Sequence, residues 1–371
     1  MKRATASGLI FANADDGKLK KLTANRSMAS VPFGARYRMI DFTLSNLVNA
    51  GVNSVGIVTK ENYRSLMDHV GSGVYWDLDR KNGGLYIIPP YYKKGIKRYT
   101  GSISGLNAAM DFIDRCGSEY IVLCSPHVIA NIDISAALDF HKEKNADVTV
   151  IYKNDYPPQE SYEKIILSLD GEQRITKMTF TAGEEKLPFG IGVTIIGRKL
   201  LMKLIDEAVD GDLVHFTRDV ISKKLKTLNV YGFEHTEFIA VMDNTHTYYQ
   251  ASMALLNRDV RKQLFNHERP IFTKVRDSMP TRYGTKADVT NSIIGDDCVI
   301  DGTVKNSIIF RGVKIEKGAV VENCILMQET TVGENAQLNN VIADKNTVIG
   351  ADMVLKGTEQ RHCFVEKNQV L

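Results

Sequence analysis

The loop after the first apolar run carries the residues on which phosphate chemistry would turn. Gly8–Ala12 reads as a short buried strand. A polar loop follows, with Asn13, Ala14, Asp15 and Asp16 ahead of its first glycine, Gly17, and Lys18 behind it. A loop that cradles a polyphosphate needs glycines, because only they let backbone N–H groups close on the anion. Here two carboxylates stand where open backbone and positive charge are required. The segment beyond, Val31–Phe42, holds Arg36 and Arg38, whose guanidinium groups suit phosphate geometry. The same arginines, and Arg311 far along the chain, serve equally well in structural ion pairs.

Other candidates are weaker. His127 follows an apolar strand and could ligate a metal. A lone His there is more often a hydrogen-bonded structural residue, and His246 reads as a surface residue. The five cysteines (Cys116, Cys124, Cys298, Cys324, Cys363) form no CxxC pair, which fits buried thiols in a reducing cytoplasm. Tyr91, Tyr92, Lys93, Lys94, Lys97, Arg98 and Tyr99 mix aromatic and basic side chains as single-strand nucleic-acid sites do, and as solvated loops do. A net charge of +3 is far too small to argue for nucleic acid by itself, and no nucleic-acid partner is expected. No apolar run reaches the ~18 residues of a membrane span. After Lys2 and Arg3, Leu9–Ala12 is too short for a signal-peptide core. A cytoplasmic protein is expected.

The elements that must position these residues alternate. Residues 40–50 read as a helix, with Leu44, Leu47 and Val48 on one face, Asp41 near its start and Gly51 at its stop. Ser54–Thr59 is the next strand and Glu61–Val70 the next helix. Ile87 and Ile88 end at Pro89, Ser104–Arg115 is helical, and Glu119–Ser125 reads as a parallel-sheet strand. Asp133 caps a helix to Lys144, and Asp147–Tyr152 is a strand. Strands at Ile165–Leu169, Arg174–Phe180 and Gly190–Ile196 and helices at Lys199–Val209, Thr217–Lys224 and Thr247–Phe265 complete an α/β, Rossmann-like domain over residues 1–250. Residues 251–288 read as helix and linker.

Beyond Val289 apolar residues recur every six positions: Ile294 and Ile300; Ile309, Ile315, Val321 and Met327; Val332 and Leu338; Ile349 and Leu355. Six residues make one flat side of a triangular coil, so residues 289–371 read as a parallel β-helix of hexapeptide repeats. Its open ends and edges suit association. A hexapeptide acyltransferase would need a catalytic His beside the coil, and residues 289–357 contain none.

Specific motifs narrow the assignment. Leu22–Arg26 reads LT-x-x-R, Val31–Gly34 reads VPFG, Tyr37–Asn46 reads YR-x-IDF-x-LSN, and Tyr248–Leu256 reads YYQASMALL. With the coil sequence Asn306–Gly350, these make the chain resemble the ADP-glucose pyrophosphorylase (glucose-1-phosphate adenylyltransferase) family over nearly its whole length. The resemblance implies a nucleotidyltransferase (GT-A-like) domain followed by a left-handed parallel β-helix. It also implies adenylyl transfer from ATP to glucose 1-phosphate, aided by Mg²⁺ on two carboxylates.

Several positions depart from that family. Its first loop, GG-x-G-x-R-L, becomes Asn13, Ala14, Asp16 and Lys18, and the Lys before VPFG becomes Met28. The Asp of a nucleotide segment becomes Ser104. The two metal-binding Asp positions become His127 and Val241, with Asp243 two positions off as a weak substitute. A sugar-phosphate E-K-P segment has no clear counterpart near Thr179–Lys186. These departures imply a silent or nearly silent subunit of the regulatory type, with no cofactor expected and Mg²⁺ only if activity remains. They further imply a catalytic pyrophosphorylase subunit as partner, in a heteromer, commonly a tetramer. Arg36 falls where the family carries a basic residue for a sugar-phosphate effector, with Arg38 and Arg311 as complements. A working transferase that uses Asp243 and Lys18 is the alternative.

Overall fold

The computed structural model describes residues 5–13, 19–89, 101–157, 165–180 and 185–371. Ala14, Asp15, Asp16, Lys18 and the aromatic–basic stretch at 91–99 lie outside the described residues. Among the described residues, nine strands form one mixed sheet. Its parallel centre is Ala6–Phe11, flanked by Ser54–Val58 and Tyr120–Cys124, with Gly84–Ile88 at one edge. These strands are almost wholly apolar because helices cover both faces. Leu187–Gly197 then runs antiparallel to Tyr120–Cys124 and pairs with Val148–Asp155 along its length. It shifts register at Gly192, whose φ of +75° only glycine adopts without strain.

Helix Met39–Asn49 buries its first nine residues and sits between the sheet and the coil. Its Asp41 accepts from the Arg38 N–H at 2.9 Å, closing the first turn. Two expected helices are broken. Ser104–Arg115 is two short helices, Ser102–Ala108 and Met110–Arg115, separated at Ala109. Thr247–Phe265 is likewise Thr245–Ala254 and Arg258–Leu264, because Asn257 turns out of the helix and its side chain caps the second one at Asp259 N–H. Thr217–Lys224 is a π turn, Phe216–Ile221, followed by a 3₁₀ turn rather than an α-helix. Glu61–Val70 contributes only Arg64–Val70. No helix among the described residues is long and apolar enough to cross a membrane.

The coil is present as three five-stranded parallel sheets, and its strands begin at Arg282–Tyr283, ahead of residue 289. Ile300, Ile309, Ile315, Val321, Val332, Leu338 and Ile349 fill its interior. The six-residue phase slips after Val321. Leu326, not Met327, points inward, and Met327 is buried against the first domain with Ile308, Phe310, Ile325 and Ile342. One side therefore spans five residues. Registers such as Lys314 on Thr331 and Thr331 on Val348 step by 17 residues rather than 18. The sheet carrying Ile308–Ile309, Ile325–Leu326 and Val341–Ala343 thus packs one face into the coil and the other onto Phe33, Phe42 and Tyr248.

Candidate functional site

In an open α/β sheet, ligands sit outside the carboxyl ends of the parallel strands. Asn13, Ser125 and His127 all lie there, just past Phe11 and Cys124. Each is engaged by its own surroundings. Asn13 accepts from the Lys60 N–H at 2.8 Å and donates to the Glu61 carbonyl at 3.0 Å, tying two strand-end loops together. His127 is 8% exposed, and its Nδ1 lies 2.6 Å from the Ser125 Oγ. The register shift at Gly192 makes room for it: a Cβ on Gly192 would stand 2.9 Å from the His127 ring. Ser104 Oγ donates to the Gly101 carbonyl at 2.8 Å, inside its own helix turn. Met28 is fully buried among Phe33, Phe42 and Tyr248.

The two positions that the resemblance assigns to metal carboxylates are adjacent in space. Val241 pairs with Val128, and the Met242 N–H donates to the His127 carbonyl at 2.8 Å. The donor set does not fit Mg²⁺. A hard cation takes oxygen ligands, and these positions offer an imidazole bonded to Ser125 and an aliphatic side chain. Asp243 is carried to the same end of this ladder and is 2% exposed. Its N–H donates to Thr247 Oγ at 2.9 Å, where Asn244 caps the following helix. No group of three His, Cys, Asp or Glu side chains among the described residues forms a metal-holding cluster.

The junction between sheet domain and coil is built differently. Arg26 reaches across to Asp344, its Nη2 donating to both carboxylate oxygens at 2.8 and 2.9 Å, with both side chains 3% exposed. Beside it lie Arg38, Lys274, Arg276, Arg311 and Lys345. Arg38 Nη1 donates to Ser65 Oγ at 2.9 Å. Burial pushes Arg38 down to about 10, with Asp41 opposing and Arg26, Arg276 and Arg311 assisting. Burial likewise pushes Lys345 down to about 6, helped by Arg38 and Arg26 and opposed by Asp344. Arg311 and Lys274 are lowered by burial and then by Arg276, with Glu329 and Asp296 near Arg311 and Asp68 near Lys274. Asp344 is occupied by Arg26, and Asp41 is occupied by Thr273 Oγ and His69 Nε2, each at 2.5 Å. The cluster is therefore short of anionic partners and suits an added anion.

Arg36 is not part of it. It is exposed, with its guanidinium 5.8 Å from the Tyr37 ring centre. Arg38 and Arg311 are brought together, and Lys274, Arg276 and Lys345, which the sequence did not single out, join them. Arg26 was visible in the LT-x-x-R motif, but its partner lies 318 residues away. His246, expected at the surface, is partly buried and stacks on His362, with Nδ1 and Nε2 3.3 Å apart. His362 lies just past the stretch that contains no histidine.

Comparison with known proteins agrees with this layout. Residues 8–179 match the nucleotidyl transferase family, and residues 277–363 match the "GlmU-like, C-terminal hexapeptide" family. The chain is 34% identical to the glycogen biosynthesis protein GlgD of Bacillus subtilis (strain 168), over 84% of this chain and 81% of that protein. It is 37% identical to GlgD of Geobacillus stearothermophilus, over 85% and 82%. It is 33% identical to a glucose-1-phosphate adenylyltransferase of Clostridium botulinum (strain Eklund 17B / Type B), over 85% and 83%. The chain belongs to the glucose-1-phosphate adenylyltransferase family. In this chain the sheet and the coil are both present among the described residues, and the strand-end residues Asn13 and His127 make internal hydrogen bonds.

Proposed function

We propose that this chain acts in glycogen biosynthesis as a regulatory subunit of a glucose-1-phosphate adenylyltransferase assembly, with little or no turnover of its own. The observation that carries this reading is the pair of adjacent positions held by His127 and Val241, which cannot supply the oxygen ligands that Mg²⁺ requires. Adenylyl transfer rests on charge stabilisation at the α-phosphate, and each lost stabilising group typically costs about 3–4 kcal/mol. The partner is a catalytic subunit of the same family, in a heteromer. The cation cluster of Arg38, Arg276, Arg311 and Lys345 is the effector site, and its ligand is an anion of the sugar-phosphate class.

The test uses purified chain with ATP, glucose 1-phosphate and Mg²⁺, alone and mixed with an active subunit from the same cell. No pyrophosphate from the chain alone, co-purification of the two subunits and altered kinetics of the active one are expected. Independent migration and unchanged kinetics would remove the regulatory reading. Asp243 supports a second reading, a transferase with a re-drawn site, because it is buried two positions past Val241, which pairs with Val128 next to His127. Turnover by the chain alone that Asp243→Asn abolishes would establish it.

A further inference from the structure

The coil sheet that packs on the first domain has two edges. One turns at Arg311 and Lys345 and is cationic. The other turns at Asn306, Asn323 and Asn340, which the 17-residue repeat of the coil stacks in a column. Each has a φ near +50° (46°, 53° and 53°), and this alone explains Asn at those corners. It does not explain what faces them. A cleft of about 660 Å³ separates the column from helix Thr245–Ala254, with Gln250 on the helix side and Glu359 and Gln360 on the loop below.

The cleft's walls are held in place from behind. Tyr249 Oη donates to the Asn323 carbonyl at 2.8 Å and reaches Asn340 Oδ1 at 3.3 Å. His362 stacks on the Tyr249 ring at 3.8 Å and meets His246. Part of the amide capacity is spent within the column: Asn291 Nδ2 donates to Asn306 Oδ1 at 2.8 Å, and Asn340 Nδ2 to Asn339 Oδ1 at 2.6 Å. The Asn323, Gln250 and Gln360 amides make no hydrogen bond with another group among the described residues. Each offers a carbonyl acceptor and two N–H donors. Met253 and Leu256 supply an apolar floor.

The lining contains no Lys or Arg, its one imidazole, His246, is stacked on His362, and its one acidic side chain, Glu359, disfavours anions. Paired donors and acceptors over an apolar floor match the hydroxyl rim and C–H face of a sugar ring. The volume falls within the ~300–1,000 Å³ typical of ligand clefts. We propose that this cleft binds a neutral saccharide, at a site separate from the cationic edge. Two sources share that chemistry, a free monosaccharide and the end of a glucan chain. The proposal goes beyond the regulatory assignment and does not depend on it.

Calorimetric titration of the full chain with glucose, maltotriose and glucose 1-phosphate tests it. Binding of a neutral sugar is expected, reduced at least tenfold by Asn323→Gly, which keeps the left-handed backbone and removes the amide, and by Gln360→Ala at an exposed loop position. Arg311→Ala should leave it unchanged. Maltotriose binding well above glucose assigns a glucan end; equal binding assigns a monosaccharide. The proposal is overturned if neither neutral sugar binds at millimolar concentration, or if both variants bind as the unaltered chain does. It is also overturned if only glucose 1-phosphate binds and Arg311→Ala removes that binding. Self-association that Gln360→Ala abolishes, without sugar binding, would show a second copy as the occupant and overturn it too. Loss of co-purification with a catalytic subunit, by contrast, bears only on the regulatory reading.

Discussion

Asn13, Ser104 and His127 each hydrogen-bond to a group within their own domain, whereas Arg38, Arg311 and Lys345 crowd together where two domains meet. The first set has been absorbed into structure: its polar groups face backbone carbonyls, N–H groups or a neighbouring Ser. The second set stores unfavourable like-charge contacts that burial worsens. A fold gains nothing from holding such cations close, since buried charges cost energy unless paired. The contrast teaches that polar groups at the strand ends are matched by their neighbours, while positive charge at the junction is left in excess.

The sharpest way to break this contrast is at Arg26. Its removal, as in Arg26→Met, leaves Asp344 buried without its partner, and about 3–5 kcal/mol of stability should be lost. Urea unfolding measures it, and a loss under about 1 kcal/mol would mean that the pair does not anchor the coil to the sheet domain. Next in size, Arg311→Ala should weaken binding of sulfate or a sugar phosphate by about tenfold, the worth of one charge-assisted hydrogen bond of ~1.5 kcal/mol. Unchanged affinity, with the loss appearing instead in Arg36→Ala, would move the anion site to the exposed arginine.

Lys345 gives a pH signature. Unfolded, it holds its proton up to about 10.5; folded, only to about 6. Between those values the unfolded state binds more protons, so this residue's contribution to stability rises with pH across the window and is most unfavourable below about 6. Lys345→Met should therefore stabilise the protein at pH 7 while weakening anion binding. Because a bound anion restores the charged form, binding at pH 7 should take up a proton, read as a dependence of the calorimetric heat on buffer ionisation enthalpy. Proton release, or none, would contradict it. The smallest effect belongs to the strand ends. Ser125→Ala should cost about 1 kcal/mol, the loss of one hydrogen bond to His127. It should leave any activity of a catalytic partner unaltered; a change there would mean that these positions still communicate.

Much of the architecture was legible because it is written in short-range patterns. Asp133 announces its helix and does cap it, accepting from the Ala136 N–H at 2.9 Å. Ile309, Ile315 and Val321 announce the coil and fill it. The pattern misled at Met327 because hydrophobicity reports burial but not against what: Leu326 and Met327 are both buried, on opposite sides of one strand end. It misled again over Thr247–Phe265, where apolar spacing outweighed the cap at Asn257. In the candidate site, Arg38 and Arg311 were nameable as single residues, but their company was not. Lys274, Arg276 and Lys345 sit in a linker and at a coil corner, where Lys and Arg ordinarily face solvent.

The chain by itself determined most of the strands, the Asp133 cap, the repeating coil and a first loop with no glycine before Gly17, since each depends on residues within a few positions of one another. Only the tertiary structure decided that Arg26 meets Asp344, that Asp41 is shared by His69 and Thr273, and that one coil edge is cationic while the other is a column of amides. Those contacts join residues tens to hundreds of positions apart, and local periodicity carries no information about which distant surfaces will close on each other.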